Sequence, residues 1–483
     1  MAEAQKNVVM FPFMAQGHMI PFLALALQIE QRYKYTITFV STPLNITKLK
    51  SSVPSSSSIR LVEIPFDSSA HGLPPNTENT DVLPYPLIIR LLQASTTLRP
   101  AFKALIEDLI DRQQGRKPLC IIADLFFGWT APVAKELGVF HVIFSGSGAF
   151  GFACYYSIWL ALPHRDPENS GCDEFELDDF KEASKIHVTQ LPLTISDADG
   201  TDSWSVFQHE NLPLWMDSDG VLFNSVEEFD QLGLLYFKRK LNLAALTVGP
   251  VLLISPEFCY EWLDTKPTNS VLYVSFGSHN TIPSSHMLQL AMALEASGKN
   301  FIWVVRPPIG FDINSEFKAN EWLPEGFEAR IKESRTGLLV HKWAPQVEIL
   351  AHRSTGAFLS HCGWNSVLES LNNGVPLIGW GMAGEQCFNV KFLAEELGVC
   401  VEVARGKTCE VRHEHIKEKI EAVMDDTEKG KEMRRKACNL KEVIKNAMKE
   451  EDGFKGSSLR NMDDLFRAAS MSISKVKTLV VQT

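Results

Sequence analysis

The chain has 483 residues, with 47 Lys and Arg against 58 Asp and Glu for a formal charge of −11; 45% of its residues are apolar and 22% charged. At ~100–200 residues per domain this length predicts two or three domains, and the composition excludes a disordered or fibrous chain. The acidic balance argues against a nucleic-acid partner, which needs clustered Lys and Arg, yet a local site can still bind an anion. Nine cysteines without a C-x-x-C pair read as reduced thiols of a cytosolic protein. The apolar stretch from Val8 to Ile29 is broken by Gln16, Gly17, His18 and Pro21, whereas a spanning helix needs ~20 nearly unbroken apolar residues. No membrane span is expected.

In chain order, strand-like runs at Val8–Phe13, Thr36–Ser41, Leu61–Pro65, Leu119–Asp124, Phe140–Ser145 and Val221–Asn224 alternate with helical patterns. The helices fall at Pro21–Arg32, Leu87–Arg112, Thr130–Leu137 and Ala149–Leu162. A second series of strands follows at Val271–Phe276, Phe301–Val305, Leu338–His341, Ala357–Ser360 and Pro376–Trp380, with helices at Met287–Ala296, Gln346–Leu350, Ser366–Asn372 and Cys387–Leu397. Such alternation predicts parallel sheets covered by helices on both faces, hence an α/β chain of two successive domains. The predicted organisation is a first domain over 1–249, a linker over 250–260, a second domain over 261–456 and a last helix and tail over 457–483. Ser51–Ser58 and Asn169–Asp202 read as surface loops from their polar, turn-rich composition.

Two motifs invite readings that their surroundings do not support. Gly146-Ser147-Gly148-Ala149-Phe150-Gly151 matches G-x-G-x-x-G, but no second strand ending in an acid follows to hold a ribose. Asp197-Ala198-Asp199 offers two carboxylates to a divalent cation, in a loop that no strand enters. Stronger candidates sit at strand ends. His18 follows the first strand, where an imidazole can act as a general base. Asp124 ends the strand Leu119–Asp124, from which a carboxylate can fix the histidine tautomer and stabilise its cation. A loop histidine and a helix cap are the structural alternatives.

The densest signal runs from Trp343 through Gln386. Ala357–Ser360 is a strand, and His361-Cys362-Gly363-Trp364-Asn365-Ser366 turns into the next helix, whose N-terminal N–H groups suit an anion. Ser366 and Glu369 also match a capping box, and Trp343 can stack on a flat base or fill core.

Together with His18, Asp124 and Val274-Ser275-Phe276-Gly277-Ser278, these residues resemble the plant secondary-product UDP-glycosyltransferases, family 1 enzymes of the GT-B fold. The resemblance covers nearly the whole chain, and Trp343 to Gln386 has the length of the family's box. It implies two Rossmann-like domains facing across a cleft, with His18 as base and Asp124 as its partner. Position by position, it implies that Trp343 stacks on uracil, the Ala344 backbone bonds the uracil edge, and Gln346 and Glu369 hold the ribose. His361, Asn365, Ser366 and Ser278 would bind the diphosphate, with Trp364, Glu385 and Gln386 facing the sugar. Gly381 departs from the family's usual Pro, which is expected to loosen the loop carrying Glu385 and Gln386.

By the same resemblance the chain inverts the anomeric carbon of a UDP-sugar, UDP-glucose in particular, to give a β-glycoside. It would need no cofactor and no metal, and would work as a cytoplasmic monomer. Phe13, Met14, Phe126, Phe127 and Phe150 are expected to line the acceptor pocket. Their apolar character suggests a hydrophobic, hydroxylated small molecule such as a phenolic, a terpenoid or one of their glycosides. Two other readings stay open at this point: a nicotinamide-dependent oxidoreductase using Gly146, Gly148 and Gly151, and a non-catalytic metabolite-binding protein of the same fold.

Overall fold

The computed structural model describes residues 6–169, 171–253, 261–278, 280–341 and 343–481. Most of the predicted linker thus lies outside the described residues. Strands β1 (Asn7–Phe11), β2 (Thr36–Ser41), β3 (Arg60–Glu63), β4 (Cys120–Asp124), β5 (His141–Ser145), β6 (Gly220–Phe223) and β7 (Ala244–Thr247) form one sheet. Their order is β3-β2-β1-β4-β5-β6-β7, all parallel. A second parallel sheet joins β8 (Val271–Ser275), β9 (Asn300–Val305), β10 (Gly337–His341), β11 (Thr355–Ser360), β12 (Leu377–Gly381) and β13 (Cys400–Arg405) in the order β10-β9-β8-β11-β12-β13. Every residue of β1, β4, β5, β8 and β11 is buried. Their near-continuous apolar sequences follow from helices covering both faces.

Each sheet reverses its winding between two adjacent strands, β1 and β4 in the first and β8 and β11 in the second. Ligands of open α/β sheets bind beyond the carboxyl ends of the strands at such points. Residues just after Phe11 and at Asp124 therefore meet, as do those after Ser275 and Ser360.

Helices relevant to the site are α1 (Gln16–Tyr33), α2 (Ala149–Ala161), α3 (Trp364–Asn372), α4 (Gln386–Lys391) and α5 (Ser457–Val481). Helix α1 begins earlier than the predicted Pro21, because a proline near a helix start removes only one carbonyl's partner. The predicted helix Leu87–Arg112 is broken into Ile88–Ser95 and Arg99–Arg112, the second opening with Pro100 in its first turn. Asn169–Asp202 is not simply a surface loop. It pairs Glu174–Phe175 with Ile186–His187 and buries Phe175, Leu177, Phe180, Ile186 and Ile195 in an apolar cluster of the core. Among the described residues no helix is long and apolar enough to cross a membrane.

Helix α5 lies on the first domain. Met462, Leu465, Phe466 and Ala469 join the apolar cluster that contains Val8, Phe22 and Phe39, and Phe466 meets the Tyr33 and Tyr35 rings at 4.8 and 5.2 Å. Tyr33 donates its hydroxyl to Asp463 at 2.6 Å, and Asn461 donates to the Thr247 carbonyl at 3.1 Å. Replacing Tyr33 by Phe is expected to destabilise the chain by about 1.5–3 kcal/mol, the worth of one hydrogen bond to a carboxylate. A urea midpoint shift at constant slope checks this.

Candidate active site

His18 stands in the first turn of α1, and its Nδ1 lies 2.9 Å from Asp124 Oδ2 at the end of β4. The other Asp124 oxygen accepts the Phe126 backbone N–H at 3.0 Å, so the carboxylate is held from two sides. Asp124 is fully buried, while His18 keeps 23% of its side chain exposed. With Nδ1–H donated to the carboxylate, the Nε2 lone pair is the one left for chemistry. Phe13 packs edge-on against the imidazole at 5.5 Å and Phe126 tilts over it at 5.3 Å. Burial pulls the imidazole pKa down, but the charge and hydrogen bond of Asp124, helped by the charge of Glu385, hold it above the ordinary value.

At the second switch point Gly277, with φ of +79°, passes so close to His361 that an added Cβ would lie 2.7 Å from the ring. Cys362 also takes a positive φ of 58° in the turn into α3. No side chain caps the first turn of α3. The predicted capping box does not form, because the helix starts at Trp364 and Ser366 lies inside it. Instead Gln346 Nε2 donates to Ser366 Oγ at 2.9 Å and to Glu369 Oε2 at 2.6 Å, with the Tyr273 hydroxyl 3.3 Å from its carbonyl. Burial pushes the Glu369 carboxyl up to about 7, the Gln346 bond pulls it back and the charge of Glu348 adds to the rise. Trp343 exposes 67% of its surface, so this indole does not fill core. Ala344 is buried beside it, and Ser278 is exposed in the turn after β8 with its carbonyl accepting from Arg306 at 2.6 Å.

Glu385 and Gln386 stand at the start of α4. Glu385 accepts from Ser147 Oγ of the first domain at 2.8 Å, and Gln386 Oε1 accepts the Met382 and Ala383 N–H groups at 3.1 and 3.0 Å. Gly381 does not loosen this loop. It is a buried, paired residue of β12 where an added Cβ would lie 2.7 Å from Cys387 Sγ. Trp364 is only 3% exposed and donates Nε1 to the Asn224 carbonyl at 2.6 Å, so its indole packs at the domain interface.

The Gly146 motif belongs to that interface. A Cβ on Gly148 would sit 2.6 Å from the Trp364 ring, and one on Gly151 would sit 2.0 Å from Asn389 Oδ1. The glycines let two domains touch. The N-terminus of α2, where a pyrophosphate would bind, is already occupied by a carboxylate: Asp230 accepts the Ala149 and Phe150 N–H groups at 2.7 and 2.8 Å and the Ser225 hydroxyl at 2.6 Å. Burial pushes Asp230 up to about 6 against those three bonds. Replacing Asp230 by Ala should cost about 2 kcal/mol, from a lost cap and two buried N–H groups left bare. Urea unfolding measures it. Asp199 likewise serves its own loop, accepting from Thr201 N and Asp202 N at 2.7 and 3.0 Å.

Among the predicted acceptor residues, only Phe126 is partly exposed beside His18. The other four are buried. Phe13 exposes 2% with its ring edge-on to the imidazole, Met14 and Phe127 expose nothing, and Phe150 exposes 1% while stacking on Phe392 at 4.8 Å, so their apolar surfaces are spent on packing. Sequence reasoning missed Asn211, which donates to the Leu125 carbonyl at 2.9 Å and accepts from Gly128 N at 2.8 Å, clamping the loop after Asp124. Asn389, which holds the Cys362 carbonyl at 3.0 Å, was missed too. Neither stands out in the sequence: Asn211 ends the largely polar helix Ser203–Asn211, and Asn389 lies between Phe388 and Val390 in a helix that also carries Gln386 and Lys391.

Comparison with known proteins covers nearly the whole chain. The family described as UDP-glucoronosyl and UDP-glucosyl transferase matches residues 255–440, and the glycosyltransferase N-terminal domain family matches residues 4–185. UDP-glycosyltransferase 92A1 of Arabidopsis thaliana is 52% identical over 97% of this chain and 99% of its own length. Crocetin glucosyltransferase 3 of Crocus sativus is 41% identical over 88% and 92%. Among solved structures, Glycyrrhiza uralensis UGT73P12 complexed with glycyrrhetinic acid 3-O-monoglucuronide superposes with a TM-score of 0.84 at 28% identity, covering 99% of each chain. Phytolacca americana UGT2 complexed with UDP-2fluoro-glucose and pterostilbene gives 0.79 at 27%, over 96% and 100%.

Proposed function

The chain belongs to the plant family 1 UDP-glycosyltransferases of the GT-B fold, and from that membership we propose that it transfers glucose from UDP-glucose to a hydroxyl of a hydrophobic small molecule with inversion. The observation that carries the mechanism is the His18–Asp124 pair at the first switch point. His18 Nε2 takes the acceptor hydroxyl proton as the oxygen attacks the anomeric carbon, and Asp124 stabilises the imidazolium that forms. Attack opposite the departing UDP breaks the C1–O bond and turns an α-linked donor into a β-glycoside. The diphosphate charge that develops faces the N-terminus of α3, with His361, Asn365, Ser366 and Ser278 as donors, so the reaction proceeds without a metal or a cofactor.

The exposed Trp343 supports a base-stacking role, and the Gln346–Ser366–Glu369 cluster supports a ribose site. Phe126, partly exposed beside His18, favours an apolar acceptor, phenolic or terpenoid, free or already glycosylated. All eight cysteines among the described residues are unpaired, which fits a reducing cytosol. The Asp230 cap at α2 speaks against the nicotinamide reading. The test is a screen of UDP-sugars against phenolic and terpenoid acceptors with mass detection and product NMR, repeated in excess EDTA. A β-glucoside formed in EDTA supports the proposal. An α-product, a strict metal requirement or transfer only of another sugar would reject the corresponding part.

A further inference from the structure

Helix α1 runs through Pro21, which has no N–H to give to the carbonyl four residues earlier, that of Gly17. Asn365, in the first turn of α3 and on the other domain, donates Nδ2 to that carbonyl at 3.1 Å. Gly17 immediately precedes His18, so this bond joins the turn that carries the imidazole to the helix end facing the diphosphate. The Pro21 ring is itself held closely, since a Cβ on Gly146 would lie 3.1 Å from Pro21 Cγ and 3.5 Å from the Gly17 oxygen. Ser147, the next residue, bonds Glu385 across the same interface.

We infer that Pro21 is a positioning residue for sugar transfer: by leaving the Gly17 carbonyl open, it lets the Asn365 amide tie the His18 turn to the donor domain. An amide nitrogen has two N–H donors. One holds Gly17; the other reaches the diphosphate in the proposed function, on which this inference rests. A single side chain then sets the distance between His18 Nε2 and the anomeric carbon, where a shift of about 1 Å can cost up to ~10²-fold in rate. The Gly17 oxygen has two lone pairs, so a backbone N–H at 21 acts by drawing the carbonyl along the helix axis and away from the Asn365 amide rather than by filling it.

The experiment compares Pro21→Val, which keeps bulk against Gly146 but restores an N–H, with Pro21→Ala, His18→Ala and Asn365→Ala. Both Pro21 variants are expected to lower kcat about tenfold with UDP affinity and acceptor KM unchanged. Their melting temperatures should be unchanged or raised, because proline is the poorest residue inside a helix. A proline with only a structural role predicts the reverse pattern, a lower melting temperature at constant kcat. In the Asn365→Ala background, Pro21→Val should add no further loss. Wild-type kcat in Pro21→Val beside an inactive His18→Ala overturns the inference, as does a full additional loss in the double variant. A loss confined to Pro21→Ala would assign the effect to packing on Gly146 and overturn it too. Transfer retained by His18→Ala would instead refute the proposed base, and the inference with it.

Discussion

Replacing His18 by Ala is expected to lower kcat about 10²–10⁴-fold, the usual worth of a positioned general base, while UDP affinity stays unchanged. The two effects separate because His18 is in the first domain, whereas the residues proposed for UDP are carried by the second-domain sheet and its helices. An acceptor hydroxyl does not ionise near neutral pH, so its proton must leave as the new bond forms. Asp124→Asn tests the partner. It keeps the shape but removes the charge that stabilises the imidazolium, and its amide can hold the ring in the wrong tautomer. The pH profile gives a second readout. Only neutral His18 is a base, and its pKa is held above 6.5, so wild-type kcat at saturating UDP-sugar should fall as the pH drops through a value above 6.5. Both the charge and the hydrogen bond of Asp124 raise that value against burial, so Asp124→Asn should move the acid limb to lower pH even as the plateau falls. Unchanged kcat in His18→Ala, or an unmoved limb in Asp124→Asn, would contradict this assignment.

Both residues were legible in the sequence because Asp124 ends, and His18 closely follows, a run apolar on both faces, and such runs become central strands of a parallel sheet. That they meet was not legible: β1 and β4 are neighbours only through the winding of the sheet, and the two side chains are 106 positions apart in the chain. The edge strands β7 and β13 escaped for a different reason. Ala244-Ala245-Leu246-Thr247 is short and alanine-rich, and Cys400–Arg405 alternates Val401 and Val403 with Glu402, so neither reads as a doubly buried strand. Pocket and core share one apolar alphabet, which is why Phe126 and Phe127, adjacent in sequence, part company in the structure: one partly exposed by His18, the other packed on Phe11 at 4.7 Å. The Gly146 motif was legible as tight turns, but not as a docking surface, since Trp364 and Asn389 come from the other domain. Gln346, Ser366 and Glu369 were legible as a group through the family resemblance, but the bonds among them were not.

Those bonds carry the second large effect. Replacing Glu369 by Leu is expected to raise the KM for the UDP-sugar about 10²-fold, since a carboxylate accepting ribose hydroxyls makes charge-assisted bonds worth about 1.5–3 kcal/mol each. The acceptor KM and the fold should change little. Glu369 also predicts a pH dependence of its own. As an acid pushed up to about 7, it is ionised above that pH and protonated below it, where it loses acceptor capacity toward the ribose. Donor KM should therefore rise as the pH falls below about 7, and Glu369→Gln should be weak at every pH with no such limb. Gln346 supplies the control. Its amide bond to Glu369 Oε2 at 2.6 Å pulls the carboxyl down, so Gln346→Ala should move the donor limb to higher pH. The His18 limb appears in kcat and the Glu369 limb in donor KM, so initial rates at saturating and subsaturating UDP-sugar across pH resolve the two. A donor KM flat from pH 6 to 8 in the wild type would place Glu369 outside the ribose site and leave its high pKa as a consequence of burial beside Glu348 alone.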